Sequence, residues 1–183
     1  MQICGIDPGL TGGIAFYNGL ELHAQRVPTA KIANKKILDM EGIIKLLVLF
    51  EPDFVFIEQQ QPMPRQGVSS TFKTGFNYGL YIGILQALGY SYQIVTPRRW
   101  KLDLDVPADK DIAREIATKL MPQGQNSWSL KCEDGVAEAA LIAYWGLYWG
   151  HDPKGSKTGF VAKALAKASK RGFLGPDDTL PKT

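Results

Sequence analysis

The stretch QICGIDPG (residues 2–9) is a short apolar run that ends in a carboxylate, Asp7, followed by a Pro-Gly pair. This pattern predicts a strand that stops at a turn. Residues 13–17 and 21–27 have the same strand-like character, and the Asn18-Gly19 pair between them is a strong hairpin signal. The N-terminal region is therefore predicted to form three antiparallel strands.

Further along the chain, apolar spacing predicts helices that alternate with strands. Residues 54–57 are continuously apolar and end at Glu58, which is typical of a strand buried on both faces. We expect helices at residues 37–50, 74–88, 107–121 and 133–149, a strand at 91–95, and loops at 59–73 and 123–130. The predicted fold class is α/β, with a mixed five-stranded sheet, antiparallel in its first three strands and flanked by helices.

Length and composition are those of an ordinary globular chain. The protein has 183 residues, of which 45% are hydrophobic and 21% charged, and this size suits one domain. No apolar run reaches the length of a membrane span, and the N-terminus lacks the features of a secretory signal. Cys4 and Cys132 lie outside any metal-binding spacing. We therefore expect reduced thiols, no membrane partner and a cytoplasmic location, in a bacterium or a phage-infected host cell.

Composition changes abruptly after Gly150. The net charge of the whole chain is +3, and residues 151–183 are rich in basic side chains. This charge is compatible with a nucleic-acid partner. We predict a catalytic domain at residues 1–150 and a basic C-terminal tail at residues 151–183.

Two carboxylates stand where predicted strands end. Asp7 follows the first strand and Glu58 ends the buried one. Functional sites form at the carboxyl ends of strands in open α/β sheets, and a carboxylate beside a buried strand is costly unless it is paired or ligated. The alternative is that each is a strand-end carboxylate facing water.

A second acidic pair lies in the last predicted helix. Asp134 and Glu138 are four residues apart and share one helix face, where like charges repel. Glu138 also lies in the most apolar part of the chain. A divalent cation would explain this arrangement, and hard oxygen ligands favour Mg²⁺, with Mn²⁺ as a substitute. Two such ions could drive phosphodiester hydrolysis. The alternative is a helix that begins with acidic residues.

Taken together, these motifs resemble the RuvC-type Holliday junction resolvases, and most of all the phage-type members. The resemblance covers roughly residues 2–149. It is carried by ICGIDPG (3–9), FIEQ (56–59), PRQGVSSTF (64–72), Gly75 and Gly79, TPRRWK (96–101), Asp109-Lys110 and DGVAEA (134–139).

Such enzymes are RNase H-like homodimers that make paired nicks in four-way DNA junctions with Mg²⁺. The resemblance implies that Asp7, Glu58, Asp134 and Glu138 are the catalytic and metal-binding residues, with two ions in each site. Many bacterial members space the last pair by three residues and end it in Asp, whereas here the spacing is four and the last residue is Glu. Glu133 therefore stays a competitor of Asp134.

The resemblance also implies a set of DNA-binding residues. Phe72 matches the aromatic that other members insert at the junction, and the alternative is an anchor for the next helix. Lys101 and Lys110 fall where the family carries basic residues near the scissile backbone, and the alternative is solvated lysines. The full candidate set is Arg65, Phe72, Lys73, Arg98, Arg99, Lys101 and Lys110.

Three glycines recur every four residues in the predicted helix at 74–88: Gly75, Gly79 and Gly83. Each weakens the helix by roughly 1 kcal/mol relative to Ala, so close approach of another element is expected in compensation. In the resembled family this helix lies at the dimer interface, which favours a homodimer. The alternative is packing on the protein's own sheet.

Three other functions compete with junction resolution. An RNase H-like nuclease with the same acidic residues could act on flaps, forks or RNA-containing substrates. The glycine-rich turn after Asp7 resembles a phosphate-binding hairpin of sugar kinases and actin-like ATPases, but those proteins are much longer and carry a second phosphate loop. A non-catalytic junction-binding protein would lack some of the four carboxylates, and all four are present.

Overall fold

The structure is a computed structural model that describes residues 1–62 and 65–150. Within it, Met1–Tyr148 forms one compact unit. The predicted tail at residues 151–183, and Pro64 of the motif at 64–72, lie outside the described residues.

Seven strands and five α-helices make up the described part of the chain. The strands are β1 (Ile3–Ile6), β2 (Gly13–Tyr17), β3 (Leu22–Arg26), β4 (Thr29–Ile32), β5 (Lys35–Leu38), β6 (Phe54–Glu58) and β7 (Tyr92–Val95). The α-helices are α1 (Met40–Phe50), α2 (Val68–Ala87), α3 (Pro97–Asp103), α4 (Lys110–Leu120) and α5 (Asp134–Tyr148). Short 3-10 helices cover Pro122–Trp128 and Lys131–Glu133.

Five of the strands form a mixed sheet in the order β3-β2-β1-β6-β7. The strands β1, β2 and β3 are antiparallel to their neighbours, while β6 runs parallel to β1 and β7 runs parallel to β6. The predicted fold, a mixed five-stranded sheet with an antiparallel start and flanking helices, is confirmed.

Alternation along β1 places helices on both faces of this sheet. Cys4 and Ile6 belong to the hydrophobic cluster that includes α1 and α2. Gly5 points the other way, and a Cβ built on it would lie 2.2 Å from the carbonyl oxygen of Ala139. Only a glycine at this position lets α5 lie directly on β1, so α5 packs on the face opposite α1 and α2.

The hairpin formed by β4 and β5 was not predicted, and residues 37 and 38 were wrongly assigned to a helix. Ala33 and Asn34 both adopt left-handed backbone conformations, with φ of 46° and 61°, and make the tight turn between the strands. The helix α1 begins only after Asp39, whose side chain accepts a hydrogen bond from the Gly42 amide.

Two other boundaries differ from the prediction. The helix α2 begins at Val68, so Phe72 and Lys73 lie on its first turns rather than in a loop. The helix α3 was missed altogether, although Thr96 caps it and Pro97 occupies its first turn. Lys101 therefore lies on a helix. The polar composition and the prolines of residues 59–73 suggested a loop there, and such an intrinsic preference is too weak to determine where a helix begins.

Candidate active site

Asp7 leaves the sheet at the end of β1. Its backbone amide donates a 3.0 Å hydrogen bond to the Gly13 carbonyl, and Gly12 likewise bonds to Gly9 at 3.0 Å. These bonds close the turn between β1 and β2 into a compact loop. The carboxylate of Asp7 is consequently held at the edge of the sheet, partly buried.

The start of α5 lies against this loop because glycines stand on both sides of the contact. A Cβ on Gly13 would lie 2.4 Å from the Gly135 carbonyl oxygen. A Cβ on Gly135 would lie 2.7 Å from Gly12 Cα and 2.8 Å from Asp7 Oδ2. No larger side chain fits at either position, and this contact brings the first turn of α5 to Asp7.

Glu58 ends β6, next to Asp7. Because Ile6 pairs with Ile57 in the parallel register, the two carboxylates follow neighbouring strands at the same edge. Glu58 is only 8% exposed. Its Oε1 accepts a 2.8 Å hydrogen bond from the indole Nε1 of Trp100, which is fully buried. Trp100 thus holds the Glu58 side chain in one orientation.

The other two carboxylates come from successive turns of α5, and each is held by a lysine. Lys110 at the start of α4 donates a short hydrogen bond to Asp134. Lys101 on α3 donates a 2.6 Å hydrogen bond to Oε1 of Glu138. Both carboxylate side chains are about 15% exposed, so the two ammonium groups offset negative charge that is only partly solvated.

Electrostatic coupling shows that the four carboxylates form one cluster. The pKa of Asp7 is raised well above its usual range, first by burial and then by Glu58, Glu138 and Asp134. Burial also raises the pKa of Glu58, against the lowering effect of the hydrogen bond from Trp100. Lys110 in turn has a raised pKa, chiefly because of its hydrogen bond to Asp134.

The donor set suits a hard divalent cation, although the carboxylates are not arranged as ready ligands. In residues 1–62 and 65–150, no three acidic, histidine or cysteine side chains already stand where they could hold a metal ion. Two of the four acidic side chains instead form ion pairs with lysines. The buried like charges around Asp7 are the observation that fits a cation, since an added positive charge would relieve their repulsion.

Glu133 is turned away from the cluster. Its Oε2 accepts a 2.9 Å hydrogen bond from the Leu130 amide within the short 3-10 turn before α5. Asp134, in contrast, interacts electrostatically with Asp7. The geometry therefore favours Asp134 over Glu133 as the partner of Glu138.

The predicted basic DNA-binding residues fall into three groups. Lys101 and Lys110 lie in the carboxylate cluster. Arg99 is tied by a 2.8 Å ion pair to Asp103, which also accepts a hydrogen bond from Trp145, so Arg99 contributes to the structure of α3. Three others are exposed away from these contacts: Arg65, Lys73 and Arg98.

Phe72 is exposed on the outer side of α2. It is 73% exposed and stacks on Phe76, one turn later, with ring centroids 6.4 Å apart. Phe76 is itself 58% exposed. The alternative of a buried anchor for α2 is therefore wrong for Phe72.

Three contacts at the site had no assigned role in the sequence interpretation. Trp100 was quoted only as part of a motif, although an aromatic N–H near a buried carboxylate is a recognisable donor. Arg26 donates to the carbonyl oxygen of Cys132 at 2.9 Å, and Lys36 donates to the carbonyl oxygen of Leu10 at 3.0 Å. These last two contacts join residues far apart in the chain, so no local pattern could have shown them.

Comparison with known proteins gives one sequence relative and several structural ones. No protein-family model matches the chain. A stretch of 94 residues, half of this chain, is 30% identical to a chloroplastic Holliday junction resolvase of Chlamydomonas reinhardtii. The match spans only 11% of that protein's length.

The solved structures that match include junction resolvases. RuvC of Thermus thermophilus matches with a TM-score of 0.54 at 18% identity, over 80% of this chain and 95% of that one. The same protein in complex with a Holliday junction substrate gives a TM-score of 0.52 at 17% identity, over 94% and 98%. The yeast mitochondrial Holliday junction resolvase gives 0.55 at 13% identity, over 94% and 84%.

At these identities the matches establish the fold. In this chain one compact unit carries the mixed sheet, the helix α5 packed on β1, and the acidic edge, the end of the sheet where Asp7, Glu58, Asp134 and Glu138 lie. The chain therefore has the fold of RuvC and other Holliday junction resolvases, as the motifs in its sequence predicted.

Proposed function

We propose that the protein is a magnesium-dependent endonuclease that resolves Holliday junctions and similar branched DNA by paired nicks. The observation that carries this proposal is the convergence of Asp7, Glu58, Asp134 and Glu138 at one edge of a RuvC-like sheet. The resolvases similar in fold support a Holliday junction as the substrate, because one of them is bound to such a junction.

The four carboxylates would hold the metal, which we expect to be two Mg²⁺ ions, replaceable by Mn²⁺. When bound, such ions activate a water molecule and stabilise the leaving oxygen of a phosphodiester. Asp7 and Glu58 contribute from the rigid sheet, and α5 contributes the other pair. Trp100 keeps Glu58 oriented. Hydrolysis then needs no covalent intermediate with the protein.

Lys101 and Lys110 supply positive charge beside the acidic edge. Their ammonium groups hold Glu138 and Asp134, so each lies at the border between the carboxylates and solvent. Lys110 is 69% exposed at its side chain and can reach an incoming phosphate. We assign both lysines to phosphate binding next to the scissile bond.

Paired nicks require two sites, and the outer face of α2 fits a second copy of the chain. A Cβ on Gly75, Gly79 or Gly83 would meet nothing within 4 Å. The glycines therefore do not serve packing on the protein's own sheet. An open glycine face permits close helix-to-helix approach. We infer a homodimer formed through α2.

The remaining parts of the proposal concern location and the tail. No helix in the described part of the chain is long and apolar enough to cross a membrane. We place the protein in the cytoplasm of a bacterium or a phage-infected host cell, where DNA is accessible. The basic segment 151–183 is assigned to additional DNA contact.

Cleavage of a panel of DNA substrates tests the proposal. Four-way, three-way, flap, fork and linear DNA, and RNA–DNA hybrids, are incubated with the protein in Mg²⁺ and in EDTA. We expect Mg²⁺-dependent, symmetric nicks in the four-way junction, and none with Asp7→Asn although that variant still binds. Preferential cutting of flaps, forks or hybrids would instead establish the alternative, an RNase H-like nuclease of other specificity. Full cleavage by Asp7→Asn would contradict the metal site.

A further inference from the structure

The two-stranded hairpin β4–β5, which we call the basic hairpin (residues 29–38), is separate from the main sheet. It carries three exposed lysines, Lys31, Lys35 and Lys36, and no acidic residue. None of the three makes an ion pair with residues 1–62 or 65–150. This concentration of unbalanced charge has no role in the chemistry described above.

The pairing of the hairpin sets two of these charges against each other. Lys31 lies directly opposite Lys36 in the antiparallel register, and Ile32 lies opposite Lys35. Like charges at directly opposed positions destabilise a sheet, and an isolated two-stranded hairpin is only marginally stable in water. The turn adds a left-handed Ala33, a conformation that alanine rarely adopts. The hairpin is therefore built at some energetic cost.

The chain attaches the hairpin to the acidic edge of the sheet. The Val27 amide donates to the Gly12 carbonyl at 3.1 Å, two residues before the hairpin begins. Lys36 Nζ donates to the carbonyl oxygen of Leu10 at 3.0 Å, in the loop that follows Asp7. At its other end, Leu38 is buried in the core. The hairpin base is thus held beside the candidate active site.

The two faces of the hairpin differ in their relation to that site. Because directly opposed residues share a face and side chains alternate along a strand, Lys31 and Lys36 lie on one face and Lys35 on the other. The face of Lys31 is the one that contacts the Asp7 loop through Lys36. Each strand has four residues, which corresponds to a length of about 13 Å.

We propose that the Lys31–Lys36 face of the basic hairpin binds the phosphate backbone of a duplex DNA arm next to the cut. This inference rests on the proposed function. A polyanion relieves the repulsion between the two opposed lysines, and the attachment to the Asp7 loop sets the register between the bound arm and the reacting phosphate. The recognition is of charge and spacing, without base contacts.

Binding to a four-way junction in EDTA tests the proposal, with Lys31→Gln as the variant and Lys35→Gln as the matched control. The two variants lose the same charge from the same hairpin, on opposite faces. One lost phosphate contact should make the slope of log K against log salt shallower by about 0.9, and weaken binding about eightfold at ~0.1 M salt. Lys35→Gln should change both quantities much less.

A second experiment uses junctions in which single phosphates are replaced by neutral methylphosphonates. A methylphosphonate scan along each arm should find a position near the cut that weakens wild-type binding but has no further effect on Lys31→Gln. Thermal unfolding of Lys31→Gln should not occur at a lower temperature than that of the wild type, since a repulsion is removed.

Each possible result has a definite meaning. Equal losses in Lys31→Gln and Lys35→Gln would overturn the face-specific contact in favour of general charge attraction. If Lys31→Gln binds with the affinity and the salt slope of the wild type, the proposal for the hairpin is wrong. Junction cleavage by the wild type would still support the proposed function in that case. A wild-type protein that neither binds nor cuts any branched DNA would contradict the proposed function itself.

Discussion

Gly135 lies directly against Asp7: a Cβ on Gly135 would come within 2.8 Å of the Asp7 Oδ2 atom. The first turn of α5 therefore touches the carboxylate at the end of β1. This contact joins the first and last of the acidic motifs, which are more than a hundred residues apart in the chain. Gly135, together with Gly5 and Gly13, thus permits the close approach of α5 to the sheet.

Gly135→Ala should abolish cleavage and destabilise the protein. The added methyl must displace α5 or Asp7, because Gly12 Cα and the Thr11 carbonyl oxygen also lie within 2.7 Å of it. Overpacking of this kind typically costs about 1–3 kcal/mol. The matched control is Gly9→Ala in the same loop, where the nearest atom is 3.5 Å from the new Cβ. Equal activity and stability of the two variants would contradict the close contact.

Asp7→Asn should unfold at a higher temperature than the wild type when both are free of metal. Burial and the neighbouring carboxylates raise the pKa of Asp7, so its contribution to stability is fully present only below the unfolded-state pKa and is lost as pH rises through the raised value. Removal of the charge should therefore stabilise the metal-free protein at neutral pH, and each ~1 kcal/mol gained would raise the unfolding temperature by about 2–4 °C.

Thermal unfolding in EDTA measures this difference as a function of pH. The gap between Asp7→Asn and the wild type should shrink as the solution is acidified. Added Mg²⁺ should stabilise the wild type and leave the variant unchanged. A variant that is less stable than the wild type at neutral pH in EDTA would show that the neighbouring carboxylates do not destabilise the charged form of Asp7.

Trp100→Phe should impair cleavage through Glu58. The change removes the 2.8 Å hydrogen bond to a buried carboxylate, and a hydrogen bond to a charged group contributes about 1.5–3 kcal/mol. Cleavage rates and unfolding free energies of the single variants and of Trp100→Phe with Glu58→Gln form a double-mutant cycle. The coupling energy between the Trp100 and Glu58 substitutions should be large. Strictly additive effects would mean that Trp100 serves only core packing.

Gly79→Ala should change the stability of α2 and the association of two chains in opposite directions. In a single chain the new Cβ meets nothing within 4 Å, so the substitution should stabilise the helix by about 1 kcal/mol. In a dimer joined through this face, the same methyl keeps the helices apart and weakens association. Sedimentation over a range of concentrations reports the dimer, and thermal unfolding of dilute protein reports the monomer. Unchanged association would remove this face from the interface.

Phe72→Ala should slow cleavage more than it weakens binding. Phe72 is 73% exposed and stacks on Phe76, so much of its ring is available to unpaired bases at a branch point. Stacking of one base contributes about 1–3 kcal/mol, which corresponds to roughly 5- to 150-fold in rate. Single-turnover cleavage and equilibrium binding are measured side by side, with the exposed Val68→Ala as control. An unchanged rate would leave Phe72 without a role in the reaction.

Local patterns in the chain were enough to identify the strands and the acids. Alternation, turn chemistry around Asn18-Gly19 and apolar runs such as the one that ends at Glu58 correctly placed all five strands of the main sheet and the antiparallel start. The same patterns predicted the four carboxylates as candidates. These features are local, because a strand or turn is specified by neighbouring residues.

Helix limits in polar segments were less well predicted. The region from Val68 to Lys73 and the helix α3 have compositions typical of loops, and both are helical. Likewise, residues 37 and 38 fit the apolar spacing of the helix that follows, but they lie in the strand β5 of the hairpin. Intrinsic preferences here amount to a few tenths of a kcal/mol, so composition alone does not determine where a helix begins.

The chain alone specified its strands, the order of its motifs and which acids could act together. Folding determined the rest: that Gly135 seats α5 on the Asp7 loop, that Trp100 orients Glu58, and that Lys36 attaches the basic hairpin beside them. Each of these contacts joins residues distant in sequence. Local energetics specifies an element from its own residues, whereas close approach and hydrogen bonding between elements exist only once the sheet has brought them together.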